Sequence, residues 1–131
     1  EDQTGMKAEY QVMIVDDETS IRESLFMFLN EEGYECCMAD NGLTAMRKLS
    51  TRPFDLVITD LKMPRKDGIS LIEHISENYP GLKTLIITSY SNSNLAEIGI
   101  DKGAHSFLLK PLDFDQLLQR LSKIFKEEKA N

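Results

Sequence analysis

Long apolar runs are missing from this chain. No stretch approaches the roughly 20 residues a helix needs to cross a bilayer, and the start, EDQTGMKAEY, lacks a leader's basic-then-apolar pattern. No membrane association is expected. Cysteine is scarce: the only two, Cys36 and Cys37, are adjacent. Neighbouring side chains in a strand point to opposite faces, so an ordinary disulfide between them is not expected. With His74 and His105 distant in sequence, the pair makes no zinc pattern either. Both cysteines read as small apolar strand residues in a reducing compartment, which points to the cytoplasm. Positive charge is in deficit, with 15 Lys and Arg against 22 Asp and Glu and a net charge of −7. Gripping a phosphate backbone requires the reverse balance, so direct nucleic-acid contact is not expected of this piece. Tryptophan is absent, yet at 41% hydrophobic and 28% charged the chain lies outside the disordered regime. Its length suits a single core.

What is present alternates between two patterns. Short apolar runs suited to buried strands recur at Val12–Val15, Cys36–Ala39, Leu56–Thr59, Leu85–Ile87 and Phe107–Leu109, with segments of helical period between them. A first helix is expected from Ser20, where Ser20 and Glu23 form a capping-box pattern. Ile21, Leu25, Phe28 and Leu29 make its apolar stripe, and Gly33 suits a left-handed stop. A second is predicted from Leu43 to Ser50 with Ala45, Met46 and Leu49 inward, and a third after the Asp67–Gly68 turn, carrying Ile69, Ile72 and Ile75 up to Tyr79–Pro80. The fourth, Leu95 to Lys102, is the weakest, since Gly99 in its interior costs about 1 kcal/mol against alanine. The last starts at Asp113 and buries Phe114, Leu117, Leu118, Leu121 and Phe125. Five strands alternating with five helices imply an α/β fold with a parallel sheet covered on both faces. Residues 1–10 read as a linker or tag remnant, 11–126 as one domain and 127–131 as a polar tail.

The residues directly after the strands carry the chemistry. VMIV is followed by Asp16, Asp17 and Glu18, LVIT by Asp60, TLII by Thr88 and Ser89, and FLL by Lys110 and Pro111. In an open parallel sheet, ligands bind beyond the carboxyl ends of the strands, where the strand order reverses. With strand order 2-1-3-4-5, strands one and three meet at that crevice and Asp16, Asp17 and Asp60 converge there, with Thr88 and Lys110 at the side. Taken singly, an Asp after a strand is usually a helix cap or an Asx-turn. Taken together, three carboxylates repel one another unless a cation sits among them. Oxygen-only ligands with room for water suggest Mg2+ over Ca2+. A cation beside a carboxylate, with Lys and Thr placed to hold anionic oxygens, is a phosphoryl-transfer arrangement in which the carboxylate is the natural acceptor.

Four segments in this order, Val15–Asp16–Asp17–Glu18, FDLVITDLKMP from Phe54 to Pro64, Asp67–Gly68, and Gly103–Ala104 through Lys110–Pro111, resemble the receiver domain of two-component response regulators. The resemblance runs from Val12 to Leu121. It implies a flavodoxin-like five-stranded parallel sheet, order 2-1-3-4-5, with helices on both faces. Asp60 would be the phosphoacceptor, served by a histidine kinase, a phosphotransfer protein or a small phosphodonor. Asp16, Asp17, Asp60 and the Lys62 backbone carbonyl would hold Mg2+, Asp16 mainly through water. Lys110 would pair with the phosphoryl oxygens, Thr88 would donate its hydroxyl to them, and Phe107 would be the aromatic switch. The Lys110–Pro111 bond would be cis, and Lys62 and Tyr90 would stand where the family tunes the lifetime of the phosphoryl group. The fourth helix, fifth strand and fifth helix would form the face that controls an output domain or partner, with a phosphorylation-dependent dimer left open.

Three other functions are alternatives, the first of them on the same fold. A flavin-binding protein wants a Ser/Thr/Gly-rich phosphate loop after the first strand, where this chain has Asp-Asp-Glu. An aspartyl-phosphate phosphatase usually has a second Asp two residues after its nucleophile, where Lys62 stands. A pure interaction module with a vestigial acidic pocket would show no Mg2+-dependent phosphorylation. The motifs favour a signalling switch that assists its own phosphoryl transfer and hydrolysis without being an enzyme in the ordinary sense.

Overall fold

The computed structural model describes residues 10–63 and 65–130. The expected linker therefore lies outside the described residues except for Tyr10, as do Pro64 and Asn131. The elements are β1 (Gln11–Val15), α1 (Thr19–Glu31), β2 (Glu35–Ala39), α2 (Gly42–Leu49), β3 (Leu56–Thr59), α3 (Gly68–Asn78), β4 (Lys83–Thr88), a 3-10 turn (Tyr90–Asn92), α4 (Ser93–Asp101), β5 (Ser106–Leu109) and α5 (Phe114–Ala130). All strand pairs are parallel and the order is β2-β1-β3-β4-β5.

The strands read as continuous apolar runs because both faces of the sheet are covered. Alternate residues of one strand go to opposite cores. Val12 and Ile14 of β1 pack with Leu25 and Leu29 of α1 and Leu117 and Leu121 of α5, while Met13 and Val15 pack with Ala45 and Leu49 of α2 and Leu71 and Ile75 of α3. A third cluster joins Leu61, Ile72, Ile86, Ala96 and Ala104, with Phe107 packed against it. The sheet is therefore sandwiched between α1 and α5 on one side and α2, α3 and α4 on the other.

Local chemistry sets the helix ends. Asn41 accepts a hydrogen bond from the Thr44 N–H, and Asp67 accepts one from the Ser70 N–H, capping α2 and α3. Asp113 does the same for the Asp115 and Gln116 N–H groups at the start of α5. Gly33 ends α1 at φ 100°, with the Gly33 N–H on the Asn30 carbonyl and the Tyr34 N–H on the Leu29 carbonyl. That is a Schellman closure, and Leu29 and Tyr34 share the adjoining core.

Four expectations need correction. The Ser20–Glu23 capping box does not form: α1 begins at Thr19, and Glu18 occupies the N-cap with no side-chain cap bond. Phe114 and Leu118 are half-buried, and Ile124, outside the expected stripe, is buried. The helix α5 continues beyond Lys126 to Ala130. Gly99 has a packing role, because a Cβ there would lie 2.5 Å from the Ile86 Cδ1 of β4 and 3.3 Å from the Ile72 Cδ1 of α3. Its propensity cost is offset by close approach of α4 to the sheet.

Cys36 and Cys37 are free and half-buried. Cys36 packs against the core under α1 and α5. Burial, helped by Cys37 and Glu35, pushes its thiol up to about 12. At pH 8 roughly one Cys36 in ten thousand is then a thiolate, so alkylation of the native protein at this residue lags far behind the unfolded chain and accelerates about tenfold per pH unit. Mass mapping of iodoacetamide adducts over time checks this, and equal rates in native and unfolded protein would contradict it.

Candidate functional site

The β1–β3 boundary is where the chain reverses direction across the sheet, having gone to β2 on one side before returning to β3 on the other. The Asp16 N–H is held by the Ala39 carbonyl and the Asp60 N–H by the Val15 carbonyl, which anchors both aspartates to the strand ends. Asp16 is fully buried, Asp60 is 7% exposed and Asp17 is exposed. One oxygen from each of the three lies within 4.8 Å of the others.

Lys110 reaches this cluster from the end of β5. Its Nζ lies 2.8 Å from Asp60 Oδ2, 2.9 Å from Asp16 Oδ2 and 3.0 Å from Glu18 Oε1, with the lysine side chain only 12% exposed. Burial alone would lower the lysine, but hydrogen bonds to Asp60, Asp16 and Glu18 outweigh it and hold the ammonium above its ordinary range. Burial likewise pushes the Asp16 carboxyl above the usual carboxylate range, opposed by the Glu18 N–H at 2.9 Å and by Lys110. The second Asp60 oxygen accepts from the Leu61 N–H at 2.6 Å.

Surrounding backbone is fixed as firmly as the side chains. Arg22 Nη1 donates to the Asp16 carbonyl at 2.7 Å. The Gly68 N–H donates to the Leu61 carbonyl at 2.9 Å, and a Cβ on Gly68 would sit 2.2 Å from the Asp60 carbonyl oxygen. Close approach of α3 to the Asp60 loop requires glycine there. The Lys110–Pro111 peptide is cis, and the Lys110 N–H donates to the Thr88 carbonyl at 2.7 Å, tying the ends of β4 and β5 together.

The remaining sequence-marked residues fall around this centre. Thr88 is fully buried, and its hydroxyl has no hydrogen-bond partner among the described residues. Phe107 pairs in register with Ile86 and is half-buried against the cluster that contains Leu61, the residue after Asp60. The Lys62 side chain is exposed, and Tyr90, at the start of the 3-10 turn, is 77% exposed. His74 lies against Tyr79 on α3 and His105 accepts from the Thr84 N–H, so neither belongs to the acidic cluster. Sequence reasoning passed over Glu18 and Arg22 as site residues. Glu18 stood in the quoted motif, but its partner Lys110 lies 92 residues away and only the fold joins them.

An all-carboxylate donor set with two buried aspartates and one exposed suits a hard divalent cation that keeps water on its solvent side. Comparison with known proteins shows the family. The family described as response regulator receiver domain matches residues 12–122. The transcriptional regulatory protein ZraR of Klebsiella oxytoca is 38% identical over 112 residues, which are 86% of this chain and 25% of ZraR. The chain thus spans about a quarter of the curated relatives it matches. A CheY-like response regulator receiver domain protein from Methanospirillum hungatei JF-1 has a TM-score of 0.87 and 29% identity, with 93% of this chain and 98% of that one covered. The response regulator TrrA from Thermotoga maritima, crystallised in complex with Mg2+-BeF, has a TM-score of 0.79 and 33% identity over 87% of this chain and 97% of its own. No described helix is long and apolar enough to cross a membrane. With the fold, the strand-end residues and a family match over nearly its whole length in agreement, this chain belongs to the response regulator receiver domains of two-component signalling.

Proposed function

We propose that Asp60 accepts a phosphoryl group and that the domain is the switch it controls. The observation that carries this reading is the position of Asp60 at the strand crossover, within one carboxylate cluster and 2.8 Å from Lys110. A carboxylate oxygen of Asp60 attacks phosphorus on a phosphohistidine or a small phosphodonor. The new O–P bond forms as the bond to the donor breaks, and its electron pair leaves with the donor. Mg2+ held by Asp16, Asp17, Asp60 and the Lys62 carbonyl would supply charge neutralisation for the phosphoryl oxygens. Lys110 donates to one of those oxygens.

The buried Thr88 hydroxyl, which has no partner, is available as a second donor. Movement of Thr88 would be felt by Phe107, whose backbone partner Ile86 lies two residues before Thr88 in β4 and whose ring shares a core with Leu61. This biases the α4, β5 and α5 face between two packings and so controls an output domain, a partner protein or a phosphorylation-dependent dimer. The donor is a histidine kinase or phosphotransfer protein, and the site of action is the cytoplasm. Domain limits of 11–126 take in the whole sheet, and α5 runs on past them to Ala130. Exposed Lys62 and Tyr90 are not bases suited to orient an attacking water, which supports slow self-dephosphorylation. An aspartyl-phosphate phosphatase finds no support, because exposed Lys62 stands where its acid/base carboxylate belongs.

Intact-protein mass after incubation with acetyl phosphate tests the proposal. One phosphoryl group is gained with Mg2+ and none with EDTA. Unchanged mass with both acetyl phosphate and phosphorylated kinase would overturn it.

A further inference from the structure

Glu18 stands at the N-cap of α1 with an extended backbone, the position from which an acidic side chain ordinarily caps a helix. It makes no cap bond. Its carboxylate instead crosses to Lys110 Nζ at 3.0 Å, while its own N–H donates to Asp16 Oδ1 at 2.9 Å. Lys110 is thus held by three carboxylates at nearly equal distances. The three are not equivalent. Asp16 is fully buried and the Asp60 side chain is 9% exposed, whereas the Glu18 side chain is 58% exposed. Water can replace the contact to Glu18 at little cost, but neither buried aspartate can release the ammonium so easily.

We infer that Glu18 is a positioning residue that restrains Lys110 before phosphorylation and competes with the arriving phosphoryl oxygen for its ammonium. The inference rests on the phosphoacceptor reading and deepens it. In the resting site Glu18 holds the ammonium toward solvent. An anion arriving on Asp60 takes over the donor that Glu18 gives up, while the buried pairing with Asp16 persists. A freely hydrated Lys110 would need no such exchange, so Glu18 sets a threshold for anion capture without touching the reacting atoms.

Beryllofluoride, a mimic of the phosphorylated acceptor, is the probe, titrated at saturating Mg2+ and followed by fluorine NMR. Glu18→Gln keeps the side-chain length and removes its charge. It is expected to bind the probe on the order of two- to fivefold more tightly than the parent protein. The gain should vanish in a Lys110→Met background, where nothing is left to compete for. No gain, or a gain of the same size without Lys110, overturns the inference and leaves the phosphoacceptor reading standing. A parent protein that binds no beryllofluoride overturns both. A second readout needs neither metal nor mimic: the nitrogen NMR signal of the Lys110 ammonium shifts in Glu18→Gln and stays in place in Glu23→Gln, which removes an exposed carboxylate elsewhere on α1. A Lys110 signal unmoved by Glu18→Gln also overturns the inference.

Discussion

Asp60→Asn is expected to abolish phosphoryl uptake from every donor while leaving the fold intact. Asn preserves the shape of the side chain and can keep the oxygen that accepts the Leu61 N–H. It loses the anionic oxygen that faces Lys110 at 2.8 Å, and with it the nucleophile. Removing one of three clustered carboxylates also relieves like-charge repulsion, so unfolding by urea should shift little or toward greater stability. Asp17→Asn makes the informative contrast. Asp17 is exposed and has no contact with Lys110 among the described residues, so its loss weakens cation binding but spares the acceptor. Uptake by Asp17→Asn should recover as Mg2+ is raised, whereas Asp60→Asn should take up nothing at any Mg2+ concentration. Mass spectrometry across a Mg2+ series separates the two. Uptake by Asp60→Asn equal to the parent would place the acceptor elsewhere.

Gly68→Ala should combine a loss of stability with a loss of function, although a single methyl group is added. The new Cβ would meet the Asp60 carbonyl oxygen at 2.2 Å and the Leu61 Cα at 2.7 Å. Both are backbone atoms beside a fixed strand end, and neither can rotate away as a side-chain tip could. The expected destabilisation is about 3 kcal/mol, the upper range for overpacking. Relief must come from moving the first turn of α3 or the Asp60 loop, which breaks the 2.9 Å bond from the Gly68 N–H to the Leu61 carbonyl. A displacement of the acceptor by about 1 Å slows transfer on the order of a hundredfold. Chemical denaturation and acetyl phosphate kinetics on the same preparation measure the two effects. A variant as stable and as quickly phosphorylated as the parent would show that the loop yields freely. Gly81, where an added Cβ meets nothing within 4 Å, is the control site.

The arrangement of the sheet was legible because burial on both faces leaves strands with no polar alternation, and VMIV, LVIT and LIIT could hardly be anything else. The aspartates were legible for a related reason. A charged residue directly after such a run must sit at the edge of the buried layer, and strand order then decides which of them meet. Contacts made across the fold without a local pattern were not legible. Glu18 looked like one more acid in a loop, because nothing near it in sequence indicates Lys110. Ser20 and Glu23 satisfied a local capping rule that the chain does not use, since the Arg22 N–H is met by the Glu18 carbonyl and the helix begins two residues earlier than the motif implies. Gly99 read as a weakness of α4 because propensity counts only the helix itself, whereas the Ile86 and Ile72 side-chain tips packed close to it lie in other elements.

The most direct measurement is chemical mapping of the phosphoryl group. Reduction of the phosphorylated protein with borohydride converts an aspartyl phosphate to homoserine, which peptide sequencing then locates. Homoserine at position 60 alone is the expected result. Homoserine in place of Asp16 or Asp17, or phosphate recovered on His74 or His105, would contradict the assignment of Asp60 as acceptor.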